Sequence, residues 1–231
     1  MNNTNHMQIF LDYLRDVYGR CNDHLLEQGK KRDQFVTFYI VFLAFILTNT
    51  TNINRQFSLN NDLIQIVVYL ISFVVGVIVV LNLADLRGWH QQYIDCIYVL
   101  NWTFAHADQY EYVNDLKAEI ERRIKKTDEH VQSHAHPITR IGELVKFFLN
   151  KFWKSTDNVA LFGMIFLTSI PLFIVVNTCS KALLHTGVTL SIIIYLILFV
   201  IYAIWIIARL KKRLENSQSY LTWILDFDKG Y

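Results

Sequence analysis

Proline is scarce in this chain: Pro137 and Pro171 are the two that occur in 231 residues, beside eight glycines. Proline removes an amide donor and clashes with the preceding turn, so its scarcity leaves long continuous helices as the natural reading. Cysteine is scarce as well. Cys21, Cys96 and Cys179 share no metal-binding or redox spacing, so no intramolecular disulfide framework is expected. Catalytic signatures are missing too: there is no Gly-rich phosphate loop, no nucleophile elbow, no His-Glu-x-x-His zinc motif and no acidic pair set for a cleft. The chemistries those motifs carry are therefore not expected, and neither a catalytic residue nor a cofactor is assigned. The opening residues Met1 to His6 are polar, with no basic region followed by a short apolar core. The first apolar stretch is then expected to act as the targeting signal.

The most informative scarcity is that of charge. Residues 34–50, 63–83, 158–178 and 188–208 contain no Asp, Glu, Lys, Arg or His. Each stretch is close to the ~20 residues that cross a ~30 Å hydrocarbon core as a helix. The expected fold is all-α: a polytopic membrane protein with four transmembrane helices and a helical cytoplasmic domain. Its expected parts are an amphipathic helix at 1–33, a first hairpin at 34–83, a cytoplasmic helical domain at 84–157, a second hairpin at 158–208 and a C-terminal helix at 209–231.

Cations orient these spans. Of 22 Lys and Arg residues, Arg55 alone lies between the first two spans and Lys181 alone between the last two, leaving 20 elsewhere. Positive residues concentrate on the cytoplasmic side, which places both termini and the central segment in the cytoplasm of a multi-pass inner-membrane protein. Lys30, Lys31 and Arg32 stop before the first span, and Arg209, Lys211, Lys212 and Arg213 begin after the fourth. Both clusters are placed to meet anionic headgroups, and membrane lipids are the first expected partner. In this topology Cys21 and Cys96 face a reducing compartment and Cys179 the outer surface.

The remaining segments have helical periodicity. Ile9, Leu11, Leu14, Val17, Tyr18, Cys21 and Leu25 form one stripe; Leu86, Trp89, Tyr93, Ile94, Ile97, Leu100 and Phe104 form a second, which extends the second span. A third helix, from about residue 109 to 131, lines up Val113, Leu116, Ile120 and Ile124, with Glu119–Arg123 and Glu121–Lys125 as i,i+4 pairs. Its narrow stripe needs a partner, either the helix at 86–104 in the same subunit or the same helix in a neighbour.

The spans carry no ionisable group that would suggest proton or ion coupling. Ser72 and Gly76 form a small-xxx-small pair that lets another helix approach, within or between subunits. Pro171 follows Thr168 and Ser169 in mid-span and is a candidate kink or hinge. His130, His134 and His136 cluster locally but lack the residues to complete a metal site, and no metal is assigned. Trp89, His90 and Tyr93, with Trp223 near the C-terminus, are the candidate partner-binding side chains.

Basic-aromatic helices entering short membrane hairpins, with Lys30-Lys31-Arg32-Asp33-Gln34-Phe35 at the first span and Leu83 to His90 after the second, resemble the small multi-span membrane proteins of bacterial antiviral systems. These include SLATT-type effectors, whose modules have two spans, and CRISPR accessory membrane proteins. The resemblance implies a homo-oligomeric effector that breaches or depolarises the membrane on activation, with a soluble cytoplasmic defence protein as a partner and no direct nucleic-acid contact. The alternative is a membrane-anchored sensor or scaffold that recruits a soluble effector.

Overall fold

The computed structural model describes residues 3–57, 61–132, 156–184 and 188–216. The order is α1 (Asn3–Phe57), α2 (Asn61–His106), a 3-10 turn (Ala107–Gln109), α3 (Val113–Gln132), α4 (Thr156–Leu184) and α5 (Val188–Asn216). No strand occurs among the described residues. The N-terminal amphipathic segment and the first apolar stretch are one helix of 55 residues, and α2 continues past its apolar stretch for a total of 46. Four of the helices, α1, α2, α4 and α5, are long and apolar enough to cross a membrane. Pro171 lies inside α4, which continues on both sides of it. Asp62 and Asp157 occupy the first turns of α2 and α4, where a carboxylate complements the positive helix end.

The chain divides into two compact units. The first comprises the described residues of 3–30, 86–132 and 210–216. Its core joins Phe10, Leu14, Val17 and Cys21 of α1 to Cys96, Val99 and Leu100 of α2, Ala107 of the turn, and Leu116, Ile120 and Ile124 of α3. The stripe expected on α3 thus finds its partners on α1 and α2 of the same chain. Burying each such aliphatic side chain stabilises by about 2 kcal/mol.

Two stripes are rotated from expectation. Ile9 is exposed and Phe10 takes its place, because only position 10 keeps the heptad phase of 14, 17 and 21. On α2, Trp89 and Ile94 point outward, while Cys96, Val99 and Thr103 are buried. Thr103 manages burial by donating its hydroxyl to Val99 O at 2.9 Å.

The third helix begins at Val113, later than expected, because the chain first makes the 3-10 turn, closed by Tyr110 N donating to Ala107 O at 3.2 Å. The turn follows His106, whose Nδ1 lies 2.8 Å from Trp102 O and whose ring stacks on Trp102 at 4.7 Å. Polar side chains then fasten α3. The Arg123 guanidinium sits 3.6 Å over the Trp102 ring and 3.2 Å from Glu119, and Lys117 lies 5.4 Å over Phe10. Arg122 also holds Glu119, at 2.7 Å, and its hydrogen bond keeps that carboxyl below the usual carboxylate range. The Lys125 side chain of the other expected pair lies outside the described atoms.

Gly19 is exposed within α1, and a Cβ there would meet nothing within 4 Å. Gly19→Ala should therefore stabilise the protein by about 0.5–1 kcal/mol through the lost backbone freedom of the unfolded chain. Thermal unfolding in detergent checks this; an unchanged or lowered midpoint contradicts it.

Candidate functional site

The second unit comprises the described residues of 31–85 and 156–209. Its outward surface is apolar on all four helices: Phe38, Val41 and Phe45 on α1, Ile71 and Ile78 on α2, Phe166 on α4, and Ile197 and Ile201 on α5 are exposed. Its interior carries the polar residues Thr50, Ser72, Thr168, Ser169 and Ser191. Leu43, Val80, Leu161, Ile165 and Ile206 fill the interior around them, so the unit is apolar inside and out, which suits helices surrounded by hydrocarbon, where association rests on close packing and hydrogen bonds between helices.

The interior hydroxyls follow one design. Tyr69 on α2 meets Thr50 on α1 at 3.0 Å, and Thr50 in turn bonds Ile46 O at 2.6 Å. Tyr202 on α5 meets Thr168 on α4 at 3.0 Å, and Thr168 bonds Ile165 O at 3.0 Å. Tyr195 meets Ser169 at 2.8 Å, and Ser169 bonds Phe166 O at 2.6 Å. In each case the Ser or Thr proton goes to a carbonyl of its own helix, so the tyrosine is the donor across the helix pair. Tyr39 on α1 donates to Ser72 O on α2 at 3.3 Å. These bonds join α1 with α2 and α4 with α5. Ser191 Oγ and Asn177 Oδ1 are buried without a hydrogen-bond partner among the described residues.

Contacts of other kinds join the two helix pairs. Gly76 on α2 is buried, and a Cβ built there would lie 2.6 Å from Thr168 Cγ2 of α4 and 2.6 Å from Tyr39 Oη of α1. Three helices therefore converge where a side chain is missing. Phe73 meets Tyr202 edge-on with ring centroids 5.6 Å apart. At the basic end, Arg32 of α1 pairs with Asp157 of α4, and Arg209 of α5 lies 3.3 Å from Asp85 of α2. Each of the four helices thus contributes one charge, and each ion pair crosses from one helix pair to the other.

Several candidate residues are now located. Ser72 and Gly76 pack inside the subunit: Ser72 donates to Val68 O at 2.8 Å, and Gly76 is sealed by Thr168 and Tyr39. Pro171 is buried on α4. Arg32 and Arg209 are bound by Asp157 and Asp85, a role beyond headgroup contact that the cation clusters alone did not suggest. Lys30, Lys31 and Lys212 are exposed, as is Arg213, beside which Gly88 permits close approach: a Cβ there would stand 3.2 Å from Arg213 Cβ. Lys211 is half-buried.

Among the partner-binding candidates, Trp89 is exposed, and His90 is half-buried with interactions of its own. Tyr93 is no open surface: it packs on the core of the first unit and stacks on the His24 ring at 5.1 Å. His134, His136 and Trp223 lie outside the described residues, as does the His130 side chain. Sequence reading missed Tyr69, Tyr195, Tyr202, Asp85 and Asp157. The signals were there in part, since Tyr195 and Tyr202 are two helical turns apart and the two acids sit at the ends of apolar stretches.

Fold and site together define an all-helical protein with four helices long and apolar enough to cross a membrane. Comparison with protein families, characterised proteins and solved structures finds no match to this chain.

Gly76→Ala forces Thr168, a stiff β-branched side chain, to give way, and should destabilise by about 1–3 kcal/mol. Gly76→Leu should prevent formation of the bundle. Both are checked by unfolding in detergent, and a wild-type midpoint for Gly76→Ala would refute the close approach.

Proposed function

We propose that this chain is a multi-pass protein of the cell inner membrane, with both termini in the cytoplasm, that assembles as a homo-oligomer and acts as a gated pore or membrane-perturbing effector in bacterial anti-phage defence. The apolar exterior of the four helices and the concentration of cations outside the two short connections support the membrane placement and its orientation. The layout's resemblance to SLATT-type effectors, whose modules have two spans against the four here, and to CRISPR accessory membrane proteins supports the defence role.

The observation that carries the gated reading is the division of contacts within the bundle. Hydroxyl bonds tie α1 to α2 and α4 to α5, whereas a glycine contact, an aromatic edge and two ion pairs hold one pair to the other. The two pairs are the rigid bodies, and the face between them is the one that opens. Separation would uncover Tyr39, Thr168 and Tyr202, giving an apolar bundle a hydroxyl-lined path that water can wet. Arg32–Asp157 and Asp85–Arg209 act as latches against that opening. With their side chains part-exposed, each is worth about 1 kcal/mol or less.

Asp157→Asn and Asp85→Asn should each raise basal ion flux in liposomes by up to about 5-fold, with additive effects on the free energy of opening. Mass photometry of the same samples reads the oligomer. Flux that is absent from wild type and both variants, with the proteins folded and inserted, refutes the pore.

The membrane-anchored scaffold is favoured by one observation. Leu26 and Tyr98 in the first unit are large, apolar and 68% and 73% exposed, with Ile94 one turn before Tyr98. A scaffold requires that surface: Ile94→Ser with Tyr98→Ala would then abolish activity in cells and leave liposome flux unchanged. A pore acting alone predicts that the double variant keeps its activity.

A further inference from the structure

Two thiols that play no part in the bundle face one another in the core of the first unit. Cys21 on α1 and Cys96 on α2 are fully buried and free, with their Sγ atoms 3.1 Å apart although 75 residues separate them in the sequence. Small apolar packing alone would account for burial of either cysteine, but not for the direct approach of one sulfur to the other. The two sulfurs need to close by only about 1 Å to reach disulfide bonding distance. Both sit on helices held by the same core, with Leu14 and Val17 two turns and one turn before Cys21 and Val99 and Leu100 one turn after Cys96.

The pair is chemically asymmetric. Its hydrogen bond with Cys96 lowers the Cys21 thiol below its ordinary value, against the effect of burial. Cys96 is pushed up, by the hydrogen bond with Cys21, by burial and by the neighbouring Asp95 charge. Asp95 is itself raised by burial, while Gln91 donates to it at 2.8 Å and Arg87 donates to Gln91 at 3.2 Å. Cys96 has the Asp95 carboxyl beside it, which disfavours a thiolate there and favours Cys21 as the attacking sulfur, with Cys96 resolving.

We propose that Cys21 and Cys96 form an oxidation site, a dithiol that a peroxide-class oxidant converts into a disulfide joining α1 to α2. The Cys21 thiolate attacks one oxygen of hydrogen peroxide; the O–O bond breaks, hydroxide leaves and is protonated to water, and Cys21 becomes a sulfenic acid. Cys96 sulfur then attacks Cys21 sulfur; the S–O bond breaks, and the departing hydroxide takes the Cys96 proton as a second water. One peroxide is reduced to two waters, and two thiols are oxidised by two electrons. A dithiol reductant reverses the change by exchange. Burial favours this small oxidant over bulky thiol reagents, and the product is a covalent clamp through the middle of the core that also holds α3.

The test uses Cys179→Ala protein in nanodiscs, which leaves the core untouched and two thiols to count. After hydrogen peroxide, the sample is quenched, denatured and labelled with a polyethylene-glycol maleimide, and non-reduced peptides are read by mass spectrometry. The expected result is two labels before oxidation, none after it, both restored by dithiothreitol, and a linked peptide containing Cys21 and Cys96. Adding Cys21→Ala or Cys96→Ala should remove the linked peptide. Two labels retained at a peroxide dose that oxidises a small thiol standard would overturn the proposal, as would loss of label through sulfinic acids without a link. Neither result depends on whether the bundle conducts ions.

Discussion

The second unit depends on a missing side chain. With only hydrogen at Gly76, α2 lies close enough to α4 for Thr168 to fill the space a Cβ would take, and close enough to α1 for Tyr39 to reach Ser72 O. Thr168 is also the residue that receives Tyr202. Any widening at Gly76 therefore loosens the hydroxyl relay of the other helix pair and the Phe73–Tyr202 edge contact together. Packing and hydrogen bonding are thus coupled through a single position.

The two units are stabilised by different physics, and their sequences differ accordingly. The first gathers Leu, Ile, Val and Phe inside and carries Arg, Lys, Asp and Glu outside, the pattern that burial from water produces. The second leaves Phe, Ile and Val outside as well as packing Leu, Ile and Val inside, with Ser, Thr and Tyr hydroxyls set among them. In the hydrocarbon setting proposed for it, apolar surface gains nothing by burial, and each hydroxyl bond and each close contact must supply specificity. Tyrosine serves that purpose well: its ring packs as an apolar body while its hydroxyl reaches across to a Ser or Thr already anchored to its own helix.

Function, in the reading proposed here, follows from the ordering of these strengths. The bonds within each helix pair are shielded, whereas the ion pairs between the two are part-exposed at the basic end, where salt and binding partners can reach them. Oxidation of the dithiol in the first unit, as proposed, would hold α1 and α2 together covalently at a place away from the surface.

How much of this was legible in the sequence depends on whether a feature is local. The four apolar stretches, the scarcity of proline and the stripe of Leu116, Ile120 and Ile124 set the number, length and character of the helices, because backbone bonding and amphipathic periodicity are properties of neighbours in the chain. Even there, phase was misjudged where chemistry-bearing residues fill core positions: Cys21 was read as apolar but Cys96 and Thr103 were not, although both lie in the α2 face. Ser72 and Gly76 announced a close approach without naming the helix that would make it. The meeting of Gly76 with Thr168, the pairing of Arg32 with Asp157 and Arg209 with Asp85, and the facing of Cys21 with Cys96 join residues 75 to 125 positions apart. Those were decided only by the tertiary structure, because a helix dictates which side a residue occupies but not which other helix comes to lie against that side.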